Sequence, residues 1–97
     1  MMYLHVNDKR SFMSKVIIDV REPFEFAMGH VKGALNIPPS KLMSGAPKLE
    51  GVAKDAEIIV YCRSGARSAV AMNILDKLGY TNVVNGINKD HVKAKHL

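Results

Sequence analysis

One cysteine, no tryptophan, three phenylalanines and three tyrosines occur in these 97 residues. Cys62 has no partner in the chain, which excludes an internal disulfide framework and a multi-cysteine zinc site. No apolar run approaches the ~18 residues that cross a bilayer. From Met1 to Lys15 apolar and polar residues alternate (Tyr3, His5, Asp8, Lys9, Arg10), without the apolar stretch of a secretory signal. Lysine and arginine outnumber aspartate and glutamate by 14 to 9, a net charge of +5. That balance favours anionic partners. The basic residues are spread from Lys9 to Lys95 with no block of five, and the scattered aromatics form no stacking platform. Nucleic acid and membrane surfaces are therefore not expected partners. An opening methionine and an unpaired thiol lead to the expectation of a cytoplasmic chain.

What is present is ordinary globular composition, 47% hydrophobic and 24% charged, with a length suited to one domain over residues 1–97. Lys15-Val16-Ile17-Ile18-Asp19-Val20 is a β-branched run of the kind buried on both faces of a sheet. Pro23 to Met28 predicts a short helix or turn, stopped near Gly29. Ala34 to Ile37 predicts a second strand, ended by Pro38-Pro39. Ser40 to Lys54 is weakly patterned. Ser40 is a candidate cap for a short helix, whereas Ser44-Gly45-Ala46-Pro47 favours a loop. Glu57 to Tyr61 is a clear strand. Ala71, Ile74, Leu75 and Leu78 then fall at helical spacing, with Gly79 placed to end the helix. Thr81 to Val84 predicts a last strand, Asn85-Gly86-Ile87 a turn, and His91 to Leu97 a polar tail for which a helix is one reading. Strands alternating with helices imply an α/β fold with a parallel sheet.

The chemistry concentrates where the Glu57–Tyr61 strand meets the following helix. Ligands of open parallel sheets bind beyond the carboxyl ends of the strands, and Cys62 stands at such an end. Arg63-Ser64-Gly65-Ala66-Arg67-Ser68 is small, polar and opens a helix, whose first N–H groups lack internal partners and favour an anion. Gly65 lets the backbone bend sharply. A cup of N–H groups around the sulfur, with Arg63 and Arg67 nearby, predicts a thiolate at neutral pH; comparable thiols reach roughly 3.5–7.5. The competing reading, a buried inert cysteine, does not call for two arginines and a glycine within five residues. Cysteine phosphatases place an arginine after Cys and five intervening residues, where this chain has Ser68. Arg67 comes one residue sooner, so the cup is expected to be smaller and to fit one extra sulfur atom on Cys62 better than a phosphate.

Cys62-Arg63-Ser64-Gly65-Ala66-Arg67-Ser68 resembles the active-site loop of the rhodanese-type sulfurtransferases. Asp19-Val20-Arg21-Glu22 with Glu25, and the run Gly29-His30-Val31-Lys32-Gly33-Ala34-Leu35-Asn36-Ile37-Pro38, resemble that family's two other signatures. The likeness runs from about Val16 to Gly86. It implies a three-layer α/β fold, a mostly parallel five-stranded sheet with helices on both faces. It also implies a thiosulfate sulfurtransferase working by ping-pong. Cys62 would take the outer sulfur of a small anionic donor such as thiosulfate as a persulfide, then pass it to cyanide, a thiol or a sulfur-accepting protein. Residues 63–68 would bind the donor, with Arg63 and Arg67 orienting it. No cofactor or metal is implied. Two alternatives stand beside it: a persulfide carrier that docks on one partner protein, and a phosphatase or arsenate-reductase relative.

Other residues carry two readings each. Asp19 ends its strand on the rim that holds Cys62, either supporting the pocket or capping the next helix. Arg21 either frames the pocket or pairs with Glu25 four residues on. His30 belongs to a structural signature rather than to catalysis. His91 and His96 have the wrong spacing for a metal site. The chain departs from the family pattern at both ends. About fifteen residues precede the Asp19 strand, so a curtailed amino-terminal edge is expected. Asn85-Gly86-Ile87-Asn88 stands where paired glycines and then a tryptophan are usual, which leaves pocket shape and donor preference open.

Overall fold

The β-branched run at the start of the Asp19 signature forms strand β1, Lys15–Asp19. A computed structural model describes residues 15–97 of the chain. Strands β2 (Leu35–Asn36), β3 (Glu57–Tyr61) and β4 (Val83–Ile87) complete the sheet. Its order is β2-β1-β3-β4, and every pairing is parallel. The helical connections are α1 (Pro23–Ala27), α2 (Pro39–Met43) with a 3-10 turn at Pro47–Leu49, α3 (Ala66–Lys77) and, after β4, α4 (Lys89–Lys95). Four strands are thus seen among the described residues. The fifth strand implied by the family resemblance and the curtailed amino-terminal edge concern residues outside them.

Alternation along β1 and β3 builds two cores. Ile18, Val20, Ile58, Val60 and Cys62 face one side, where Leu42 of α2, Leu49, and Ala71 and Leu75 of α3 cover them. Ile17, Ile59 and Tyr61 face the other side, against Val31, Phe26 of α1 and Val92 of α4. Strands covered on both faces read as continuous apolar runs, which is why β1 and β3 are so legible in the sequence. Helix α3 follows its expected pattern, and Gly79 sits just beyond its end at φ 99°.

Two expectations are corrected, and the polar tail is helical. Part of the weakly patterned Ser40–Lys54 stretch is helical, and its helix starts at Pro39 with Pro38 as the capping position rather than at Ser40. Proline at the first helical position needs no N–H partner, so two prolines open this helix instead of excluding it. Asn85-Gly86-Ile87 belongs to strand β4, with a register irregularity opposite Val60 and Tyr61. Gly86 is required there by space: a Cβ would lie 2.7 Å from Val92 Cγ2 and 2.8 Å from Ile59 Cγ2. The polar tail forms α4, capped by Asn88, whose side chain accepts from the His91 N–H.

The chain passes from β1 to β2 in one direction along the sheet, returns to β3 on the other side of β1, and continues to β4. The loops leaving β1 and β3 therefore diverge from adjacent strand ends, the place where open α/β sheets bind ligands. Arg21 follows β1 and Cys62 follows β3.

Candidate active site

Cys62 is only 2% exposed, yet it lines a cavity of about 570 Å³ together with Arg63, Phe24, Met28 and Lys89. The loop after it folds back on the sulfur. Gly65, at φ 95°, turns the chain into α3 and directs its own N–H to Cys62 Sγ at 3.1 Å. A residue with a Cβ is strained at that φ. Ser68, fully buried in the first turn of α3, places Oγ 3.5 Å from Sγ. The backbone N–H groups of Ser64 and Ser68 also act on the sulfur.

These groups oppose a large penalty. Burial pushes the Cys62 thiol up, while the Ser68 hydroxyl and the N–H groups of Ser68, Ser64 and Gly65 bring it down to about 7. The hydrogen-bonding cup, more than the arginines, offsets the burial. A thiol near 7 is about half thiolate at neutral pH, which is what a nucleophile needs without a separate base.

The two loop arginines are not equivalent. Arg67 points back to α1 and grips Glu25 with two hydrogen bonds, Nη1 to Oε1 at 2.7 Å and Nη2 to Oε2 at 3.1 Å. Arg67 holds the Glu25 carboxyl well down, at about 2, helped by the Glu22 N–H. Its charge is therefore paired within the protein, unlike the donor-orienting position expected for it. Arg63 is exposed at the cavity mouth and makes no ion pair among the described residues. Ser64 and Ala66 are exposed loop positions.

Asp19 and Arg21 form a second buried unit beside the loop. The Arg21 guanidinium donates to both Asp19 oxygens, Nε to Oδ1 at 2.9 Å and Nη2 to Oδ2 at 2.7 Å, and the Arg21 N–H also donates to Oδ1. Tyr61 Oη donates to Asp19 Oδ2 at 2.8 Å and accepts from the Val31 N–H. Burial pushes the Tyr61 phenol up to about 12. Arg21 Nη2 further donates to the Gly29 carbonyl. This network ties β1, β3 and the Gly29–Val31 turn together under the cavity. It corrects two expectations. Arg21 pairs with Asp19, not Glu25. Asp19 caps no helix: α1 starts from Glu22, which with Glu25 forms a reciprocal capping box.

His30 stacks on Phe26 with ring centroids 3.6 Å apart and donates from Nδ1 to the Phe26 carbonyl, so it finishes helix α1. Sequence reasoning missed Asn85, Ile87 and Lys89. Asn85 reaches Gly65 and Ser68, the Ile87 carbonyl accepts from the Cys62 N–H, and Lys89 lines the cavity. The signal available was the departure of this segment from the paired-glycine pattern.

The sequence and the fold have counterparts among known proteins. The family model described as "Rhodanese-like domain" matches residues 5–87. A putative mitochondrial thiosulfate sulfurtransferase of Schizosaccharomyces pombe is 42% identical over 82 residues, covering 74% of this chain and 58% of that protein. The chain thus spans a little over half the length of that relative. Among solved structures, an Escherichia coli rhodanese with anions superposes with a TM-score of 0.72 at 33% identity, over 80% of this chain and 91% of that one. The human single-domain sulfurtransferase TSTD1 gives a TM-score of 0.71 at 25% identity, over 98% and 95%. With a family model matching residues 5–87, most of its length, the chain belongs to the rhodanese-like domain family.

Proposed function

We propose that the chain is a sulfurtransferase in which Cys62 carries the transferred sulfur. The observation that supports this most is the Cys62 sulfur itself, held at the end of β3 by the Gly65 N–H and Ser68 and brought to about 7, on a residue that lines a cavity with Arg63, which makes no ion pair among the described residues. The Cys62 thiolate attacks the outer sulfur of a small anionic donor such as thiosulfate. A new S–S bond forms, the donor's own S–S bond breaks, and sulfite leaves with the electron pair. The resulting persulfide places its charge within reach of the same donors, so little reorganisation accompanies the step. A thiophilic acceptor, cyanide or a thiol, then attacks the terminal sulfur and restores the Cys62 thiolate.

Arg63 and Lys89 border the route of the anions. Asp19 and Arg21 support the pocket from below, since their charges are satisfied by each other. Loop size remains the argument against phosphatase chemistry. Steady-state thiocyanate formation from thiosulfate and cyanide tests the reading. Parallel double-reciprocal lines and no turnover by Cys62→Ser are expected; turnover by Cys62→Ser overturns it.

A second reading, a persulfide carrier that docks on a partner protein, is favoured by one feature. Phe24 and Met28 are 68% and 85% exposed at the cavity edge. A stable persulfide with negligible turnover of free thiosulfate and cyanide would select it.

A further inference from the structure

Asn85 does not belong to the active-site loop, yet its carboxamide makes three hydrogen bonds around it. Nδ2 donates to the Gly65 carbonyl at 3.1 Å. Oδ1 accepts from the Ser68 hydroxyl at 2.7 Å and from the Ile87 N–H at 2.9 Å. Gly65 and Ser68 are the residues that in turn touch Cys62 Sγ, at 3.1 and 3.5 Å.

The third bond secures an unusual turn. Ile87 stands at φ 70°, and the Asn88 N–H donates to the Gly86 carbonyl at 2.8 Å across it. This is a γ-turn with its central residue in the left-handed region, a rare conformation. For a β-branched residue it is strained and persists only where its surroundings hold it. The Ile87 carbonyl then accepts from the Cys62 N–H at 3.0 Å. Ile87 Cγ2 also lies 3.6 Å from where a Cβ on Gly65 would be. The strained turn therefore braces the nucleophile's own backbone and the back of its loop.

We infer that Asn85 is the positioning residue of the reacting sulfur, holding Gly65, Ser68 and the Ile87 turn in the arrangement that presents N–H and O–H groups to Cys62. The Ser68 hydroxyl has a single proton and three acceptors around it: Asn85 Oδ1, the Gly65 carbonyl and the sulfur. A neutral amide yields that proton to a thiolate. A carboxylate in the same place keeps it, and also turns an oxygen toward the Gly65 carbonyl where Nδ2 now donates. The charged groups around Cys62 are Arg63 and Arg67 from the loop and α3, Arg21 and Glu25 from the β1–α1 side, and Lys89 and Asp90 from α4. Substitution at Asn85 leaves all of them in place.

The inference rests on Cys62 as the reacting atom, and its test uses iodoacetamide, which requires no sulfur transfer. The rate of Cys62 alkylation is followed against pH in the parent, in Asn85→Asp and in Asn85→Ala, with thermal unfolding of each. Asn85→Asp keeps the side chain's shape and both acceptor bonds and loses only the bond to the Gly65 carbonyl, and thermal unfolding identifies the variants that remain folded. The alkylation midpoint is expected to rise by about one unit in Asn85→Asp, in part from its added charge, slowing alkylation at pH 6 roughly tenfold. It is expected to rise by less in Asn85→Ala, where losing the bonds to Gly65 and Ile87 outweighs releasing the Ser68 proton. Leu49→Ala, a core truncation away from the site, is expected to lower the unfolding temperature without moving the midpoint. A midpoint unchanged or lowered in either folded Asn85 variant overturns the inference, whatever happens to thermal stability. Loss of sulfur transfer with normal alkylation would instead count against the proposed function.

Discussion

Removing the Ser68 hydroxyl tests whether hydrogen bonds, rather than the neighbouring arginines, create the reactive thiolate. Burial raises the Cys62 thiol, and the Ser68 side chain is the largest single influence in the opposite direction. A hydrogen bond to a charged group contributes ~1.5–3 kcal/mol, and 1.36 kcal/mol corresponds to one pKa unit. The 3.5 Å separation and the competing 2.7 Å bond to Asn85 place Ser68 at the low end of that range. Ser68→Ala is therefore expected to move the thiol upward by about one unit from its value of about 7. The thiolate fraction at pH 6 then falls roughly tenfold, while that at pH 10 hardly changes. Iodoacetamide modification followed by intact mass from pH 5 to 10 reads this directly. The discriminating signature is a displaced midpoint with an unchanged plateau. An unmoved midpoint would refute the reasoning and return the thiolate to the fields of Arg63 and Arg67.

Further outcomes follow from the charged pairs. Asp19→Ala leaves the Arg21 guanidinium buried without its carboxylate and takes the acceptor from Tyr61, an expected loss of about 3–5 kcal/mol, measured by urea unfolding; a loss under ~1 kcal/mol would show that water replaces the pair. Arg63→Ala should raise the KM for thiosulfate about tenfold, the order expected for one charge-assisted contact, with the alkylation midpoint unmoved. An equal effect from Arg67→Ala would contradict the assignment of that residue to Glu25. The Cys62 thiol is lower in the folded chain, about 7, than its ordinary value of 9.0. The unfolded state therefore binds more protons between those values, and the parent should gain stability over Cys62→Ser as pH rises from 7 to 9. No such gain would mean that the thiol is unperturbed.

The parts of this protein legible in its sequence are those whose information is local. Strands β1 and β3 are covered on both faces, so their burial is written as unbroken β-branched runs. The segment from Cys62 to Leu78 combines a strand end, a glycine and a periodic helix in consecutive residues. The functional pairings are different in kind. Arg67 meets Glu25 and Tyr61 meets Asp19 across 42 residues each. They meet because β1 and β3 are neighbours in a parallel register that local periodicity does not encode. For that reason local spacing proposed an Arg21–Glu25 pair that does not form. Asn85-Gly86-Ile87 has the residues of a turn but the position of a strand. Gly86 is demanded by the closeness of Val92 and Ile59, and the positive φ of Ile87 is imposed by the active-site loop it supports.

In the proposed reaction Cys62 carries the sulfur as a persulfide, and intact mass spectrometry measures that intermediate most directly. After incubation with thiosulfate and removal of excess reagent, the parent chain should gain one sulfur atom, about 32 Da, confined to Cys62. Cyanide should remove the added mass, and Cys62→Ser should never acquire it. A parent chain that stays at its original mass while folded and freely alkylated, or a Cys62→Ser variant that gains the same cyanide-labile mass, would contradict the account.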